Sequence, residues 1–422
     1  MTEAAVAVIA LLVLVWAVVS GALARHDVTG PLVFTIAGFL LANPEWGPLG
    51  VDIETGAVHA LAEITLALVL FSDASRVNLS ELRHEASMPL RLLGIGLPLT
   101  LILGGLIASV MFGEFTWALA GYVGAALAPT DAALSVQVIN DKRVPMRLRR
   151  GLNVESGLND GIVTPVVTLM LALAAGQLGI EAESEAFIAG AAVRELGLGL
   201  LVGLALGWAG AMAINIGSRR GWALSGGRRL ATLATAVAAF TVAVAFDGNG
   251  FISAFVAGIV FGAALDQELL EIDQAVQLPE LVGELLALVV WFLFGATLVP
   301  MAFEHLSGPM IGYALLSLTL IRMLPVALAM TGSGVDRKSV WFMAWFGPRG
   351  LASVVFALLA IEDLGELVEE AVAVVALTVL LSVVLHGVTA GPAGRRFVHG
   401  DEAEAPGPRA RSSRLVQSHP PE

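Results

Sequence analysis

APTDAALSVQVINDKRVPMRLRRGLNVESGLNDGIVTP, running from Ala128 to Pro165, is two apolar segments joined by a basic loop, and each segment carries carboxylates where a membrane span should have none. Asp131 lies ten residues before Asp141, and Asp160 lies ten residues after Arg150. At a rise of ~1.5 Å per residue, each acid sits ~15 Å from the same membrane surface, about half of a ~30 Å hydrocarbon core. Two carboxylates are therefore expected to meet at the midplane, with the rest of the chain as the scaffold that makes this tolerable.

The composition agrees with a membrane setting. Charged residues make up 14% of the 422 and hydrophobic ones 57%, against about 25% charged in an ordinary soluble domain. Glycines and prolines are scattered through the apolar segments, as in spans that bend and pack closely. Without cysteine there is no disulfide framework, thiolate metal site or thiol nucleophile. A net charge of -13 with few basic residues, confined to loops, argues against nucleic-acid binding. The opening MTEAAVAVIALLVLVWAVVSGALARHD has an acidic start and an apolar run long enough to span, so it is read as the first helix rather than a cleaved signal.

Hydropathy windows of about 20 residues give thirteen spans, roughly 4–23, 30–43, 56–73, 88–112, 115–139, 151–177, 195–218, 229–246, 250–265, 281–302, 309–331, 338–360 and 369–391. With the N-terminus outside, 19 of the 23 Lys and Arg residues fall in cytoplasmic loops or the tail and none in an outer loop. The other four, Arg91, Arg194, Arg322 and Arg349, lie in or at the ends of spans. The positive-inside rule then sets the orientation of an inner-membrane protein, with the C-terminus cytoplasmic. One inner loop, 266–280, lacks basic residues. The spacing of Leu269, Leu270, Ile272 and Val276 fits a helix lying on the membrane with Asp266, Glu268, Glu271 and Asp273 in water, or else a solvated acidic connector. The acidic outer loops fit a soluble surface or a cation-attracting vestibule. His26, His59, His84, His305 and His386 sit at or near span ends, where solvated side chains are expected.

The expected architecture is an all-α polytopic transmembrane domain over 1–393, with a short disordered cytoplasmic tail over 394–422. Within it, 1–180 forms a first repeat, 195–218 a linker helix and 229–393 a second, inverted repeat. Ala128-Pro129-Thr130 interrupts the fifth span and Gly347-Pro348-Arg349-Gly350 the twelfth, in corresponding members of two six-span halves. Proline removes a backbone donor and glycine loosens the turn. Unpaired backbone at membrane depth survives only where it is buried in protein or lines a cavity. Two interrupted, crossing helices in matching positions are thus the best sequence pointer to a substrate site.

Charges inside spans are rare and usually functional. Here they are Asp131, Glu155 and Asp160, then Arg322 and Arg349, with Asp73 closing the third span near the inner surface. Asp160 shares a helix face with Ser156, and Asn159 with Glu155, at i, i+4 spacing. Carboxylate, hydroxyl and amide oxygen are hard ligands suited to a small alkali cation, and Thr130 can add another hydroxyl. Asp131 has a competing reading as the N-cap of the second half-helix, and Asp160 one as a buried hydrogen-bonded acid. Arg322 needs a partner in hydrocarbon, and Glu155 is the choice, as a structural ion pair. Arg349 is expected to cap half-helix carbonyls or keep anionic groups ionised, rather than to touch substrate. Removal from water disfavours an ionised carboxyl group, whereas bound Na⁺ favours it and expels the proton. Competition of proton and cation for one carboxylate is all that exchange requires, provided the empty charged site does not cross.

The run from Ala128 through ESGLNDG resembles the cation:proton antiporter-1 family, specifically its NhaP-type Na⁺/H⁺ antiporters, over the membrane region to about Gly394. The resemblance implies that Asp160 is the ion- and proton-binding acid, supported by Asn159. Thr130, Asp131 and Ser156 would complete a Na⁺ shell, Glu155 would pair with Arg322, and Asp73 would match an acid near the inner funnel. It further implies a homodimer, no cofactor, and substrate ions Na⁺ (or Li⁺ or K⁺) and H⁺. The Asn-Asp pair resembles the electroneutral branch, exchanging one cation for one proton. Ala132 departs from the pattern, because the family commonly has proline after the Thr-Asp pair; Pro129 is the residue left to supply the break.

Two other classes fit less well. A sodium-coupled solute carrier would want further polar groups in its pocket. An intramembrane aspartyl protease also uses two membrane aspartates, but its Gly-x-Gly-Asp signature is absent. No filter-like TVGYG run points to a potassium channel.

Overall fold

The computed structural model describes residues 3–23, 28–49, 56–77, 87–131, 134, 144–180 and 185–397. The basic loop residues Lys142 and Arg143, the histidines His26 and His84, and the tail from 398 onward lie outside these ranges. Every regular element among the described residues is helical. In chain order these are α1 (Glu3–Leu23), α2 (Gly30–Leu41), α3 (Gly56–Ser75), α4 (Ser87–Met111), α5 (Trp117–Ala126), α6 (Met146–Gln177), α7 (Glu185–Arg219), α8 (Ser225–Ala245), α9 (Gly250–Ala264), α10 (Ile272–Glu304), α11 (Gly308–Ala329), α12 (Arg337–Trp345), α13 (Leu351–Leu364) and α14 (Glu369–Phe397). Among the described residues, nine segments are long and apolar enough to cross a membrane, with α13 and α14 counted together, and α2, α5 and α9 are shorter apolar helices. Short wide turns interrupt α4 at Leu92–Gly96 and α10 at Phe294–Leu298.

The helices form two bundles. One gathers α2, α3, α7, α8, α9 and α10, and the other α4, α5, α6, α11, α12, α13 and α14. They meet most extensively where the end of α10 packs on α14 and where α6 lies along α7, and also where α3 reaches α6 and α13 and α6 reaches α9. Lipid is as apolar as leucine, so helices in a membrane associate through close packing rather than hydrophobic exclusion, and small residues mark the contacts. At the crossing of α2 and α10, a Cβ on Gly38 would land on the Phe292 carbonyl, and one on Gly295 would land on the Thr35 carbonyl. The wide turn at Phe294–Leu298 sits at this crossing.

Segment 266–280 is not a helix lying on the membrane: 266–271 is a non-helical connector with Glu268 and Glu271 exposed. From Ile272 it is the opening of α10, with Val276 and Ala275 buried in protein and Pro279 inside the helix. Sequence windows start that helix at 281 because the acids depress the hydropathy of its first two turns. Those acids have partners. Arg76, just past α3, donates to both oxygens of Glu280 at 2.9 and 2.6 Å and to Asp273 at 3.1 Å. Arg219 donates to Asp266 at 2.7 Å, a charged hydrogen bond that holds the Asp266 carboxyl below the usual carboxylate range.

Candidate functional site

α5 ends at Ala126, and the chain through Thr130 and Asp131 is not helical; Phe346–Gly350 likewise separates α12 from α13. Both interruptions fall at the positions expected from the proline and glycine runs, and they touch. The Asp131 amide donates to the Pro348 carbonyl at 2.8 Å. The Leu351 amide, at the start of α13, donates to Asp131 Oδ2 at 2.9 Å, and the Leu134 amide to Asp131 Oδ1 at 3.3 Å. Asp131 therefore caps the opposite half-helix as well as the chain beyond its own break. A Cβ on Gly350 would overlap the Asp131 carboxylate, so only glycine lets the two segments come this close.

α6 brings the second acid to this point. Asn159 Nδ2 donates to Thr130 Oγ1 at 2.7 Å, and Thr130 Oγ1 lies 3.1 Å from Ser156 Oγ. All three side chains are buried, and Asn159 Oδ1 has no hydrogen-bond partner among the described residues. Asp160, one residue on, differs from Asp131. Its carboxylate is partly accessible and takes no hydrogen bond among the described residues. The charges acting on it most strongly are Asp131 and Asp73. Asp73 approaches from α3 and faces α6 at Gly157, with Arg76 and Glu280 as its own further charged neighbours. Asp131 and Asp73 are also partly accessible.

Two arginines hold the surroundings. Arg322 Nη1 lies 2.6 Å from Glu155 Oε1, with both side chains essentially sealed from solvent. The pair fastens α6 to α11, and the guanidinium packs under the second break at Gly347. Arg349 donates from Nη1 to the carbonyls of Ala128 at 3.0 Å and Pro129 at 3.3 Å, and from Nη2 to Ser317 at 3.3 Å. These carbonyls belong to interrupted backbone, so Arg349 supplies donors that the helix cannot.

Several contributors escape a search for charged residues. Ser353 donates to the Ala126 carbonyl at 2.6 Å and Tyr122 to the Phe356 carbonyl at 3.0 Å, tying α5 to α13 on one side of the crossing. The only signal for them was a polar side chain within seven residues of a break. Two histidines also depart from expectation. His386 is 2% exposed, in the middle of packed helices, and His59 is 8% exposed. His59 Nδ1 lies 2.7 Å from Glu362 across the two bundles, at the edge of a cavity of about 390 Å³ also lined by Glu366 and Glu369. Neither histidine is solvated, because each meets the facing bundle or the neighbouring helix instead of water.

Taken together, the apolar helices and the crossed breaks define a multi-pass membrane protein. A family model described as "Sodium/hydrogen exchanger, transmembrane" matches residues 7–396, and the chain belongs to that family. Among curated proteins, the K(+)/H(+) antiporter NhaP2 of Shewanella sp. (strain ANA-3) is 23% identical over 355 residues, covering 83% of this chain. The chain spans only 59% of that relative's length. The Na(+)/H(+) antiporter NhaP of Pseudomonas aeruginosa is 28% identical over 359 residues, covering 80% of this chain and 81% of the relative. Among solved structures, the sodium proton antiporter MjNhaP1 from Methanocaldococcus jannaschii has the same fold, with a TM-score of 0.77 at 20% identity over 93% of this chain and 98% of that one.

Proposed function

We propose that the chain is a secondary transporter exchanging a monovalent cation for H⁺, with the two competing for Asp160. One observation carries the reading. Asp160 is the partly accessible acid whose carboxylate no backbone or side-chain donor among the described residues engages, and it follows Ser156 by one turn of α6, where Ser156 Oγ meets Thr130 Oγ1. A carboxylate and hydroxyls make a hard-oxygen shell for an alkali ion. Asp131 adds a second carboxylate to the shell. Asn159 keeps Thr130 oriented, the Glu155–Arg322 pair and Arg349 keep the crossing rigid, and Asp73 draws cations in from the inner side.

Alternating access then follows from rocking the bundle that carries α5, α6 and α13 against the one that carries α3 and α10. The thirteen-span, two-repeat topology is part of this proposal. So are its division into 1–180, 195–218 and 229–393, the outer N-terminus, an inner-membrane location, the electroneutral one-for-one stoichiometry and the homodimer. Support for the topology comes from a helix in each of the thirteen expected windows and from breaks at matching places in the two halves.

The relatives' names divide between K⁺ and Na⁺, so ion choice is the quantity to measure. Purified protein in proteoliposomes is expected to move protons outward against an inward gradient of at least one of Li⁺, Na⁺ and K⁺, with no added solute. Proton movement that requires an organic solute alongside sodium would instead establish the sodium-coupled carrier.

A further inference from the structure

The first break is held by the Arg349 side chain; the second, Phe346–Gly350, meets Asp131 and Arg322 on one side and α14 on the other. A chain of polar contacts from α14 reaches both of its ends. The Arg349 amide donates to Ser382 Oγ at 2.7 Å. Ser382 Oγ lies 3.2 Å from His386 Nδ1, and His386 Nε2 lies 2.9 Å from the Trp345 carbonyl, the last of α12. Trp345 Nε1 in turn donates to Thr389 Oγ1 at 3.0 Å. The His386 ring is packed between Trp345 at 5.2 Å and Phe346 at 6.4 Å, ring centre to ring centre.

Each ring nitrogen of His386 faces a carbonyl that only accepts: Nε2 that of Trp345 at 2.9 Å, and Nδ1 that of Ser382, four residues earlier on the same helix, at 3.0 Å. A neutral imidazole donates from one nitrogen and accepts at the other. With hydrogen on Nε2, the bonds run Arg349 N–H to Ser382 Oγ, Ser382 O–H to His386 Nδ1 and His386 N–H to the Trp345 carbonyl, and this is the arrangement that ties both ends of the break to α14.

We propose that Ser382 and His386 are positioning residues for the ion site, a relay that sets the length and direction of the second break. It rests on the exchange reading above. The segment it holds is the one that accepts from the Asp131 amide at Pro348 and donates to the Asp131 carboxylate at Leu351. Loosening either end therefore moves Asp131 relative to Asp160, Thr130 and Ser156. Groups that orient ligands from behind are typically worth about ten- to a hundredfold in ion affinity. Loss of the relay should appear in the cation KM, whereas loss of mere packing would lower the amount of working protein, hence Vmax alone.

The test uses the full-length chain in proteoliposomes, with proton flux driven in turn by Li⁺, Na⁺ and K⁺ and KM taken for the ion that drives wild-type flux best. His386→Phe keeps the ring volume but no polar atom, and is expected to raise that KM about tenfold. His386→Gln, which retains a donor for Trp345, should recover most of the loss. Ser382→Ala removes one hydroxyl from α14 and should shift KM in the same direction, and it stands in should His386→Phe fail to insert. Unchanged KM in His386→Phe or Ser382→Ala, with lower Vmax only, would overturn the relay. Absence of flux from the wild-type protein with all three ions would instead defeat the exchange reading itself.

Discussion

Asp160→Asn is expected to abolish cation-driven proton movement while leaving a folded, membrane-inserted protein. The substitution preserves volume and removes the ability to hold either a proton or a negative charge. No hydrogen bond among the described residues depends on the carboxylate, and the side chain is partly accessible, so the exchange should cost little stability. In everted vesicles a pH-sensitive dye should report no dequenching on addition of Li⁺, Na⁺ or K⁺. Asp131→Asn provides the contrast. Its carboxylate caps two backbone amides, and the carboxamide oxygen can serve only one of them well. Partial activity with lower stability is expected there. Wild-type-like dequenching by Asp160→Asn would remove Asp160 from the centre of the mechanism.

The second large effect concerns stability rather than transport. Glu155→Gln, or Arg322→Gln, should destabilise the protein severely, because either change leaves an unpaired charge sealed from solvent. Breaking a buried pair from one side typically costs ~3–5 kcal/mol, whereas replacing both partners with well-packed apolar residues is often neutral. Arg322 is particularly exposed to this, since the other nitrogens of its guanidinium have no hydrogen-bond partner among the described residues. Thermal aggregation of the detergent-solubilised protein should show a large loss for each single variant and recovery for Glu155→Leu/Arg322→Leu. If the double variant is as unstable as the singles, the pair does more than neutralise its own charges. If the singles are as stable as wild type, the two side chains are not paired in the protein.

The sequence discloses the site more completely than it discloses the helices around it. Carboxylates in hydrocarbon are so unfavourable that each one advertises a reason for being there, and Asp131, Glu155 and Asp160 were found by depth alone. Proline and glycine fix the breaks for an equally local reason. What the breaks touch is not local. That Asp131 caps α13, that Arg349 lies on the carbonyls of Ala128 and Pro129, and that Gly350 admits the Asp131 side chain all depend on two segments more than 200 residues apart meeting face to face. No window of one chain carries that information.

Boundaries misled wherever polarity at a helix end is answered by a partner. The sequence reads 266–280 as a surface helix or a solvated connector because the salt links of Asp273 and Glu280 to Arg76 cannot be seen from that segment by itself. His386 shows the same effect. Near the end of a span a histidine has two fates, and which one holds is decided by the facing carbonyl of Trp345, 41 residues away.

Proton release on ion binding tests most directly whether proton and cation share one acid. Purified protein in weakly buffered detergent solution, titrated with Na⁺ or K⁺ and followed with a pH dye, should liberate about one proton per bound cation at acid pH. The yield should fall towards zero at alkaline pH, where the acid is already ionised, and Asp160→Asn should liberate none. Cation binding seen by calorimetry with no proton release at any pH would contradict the account.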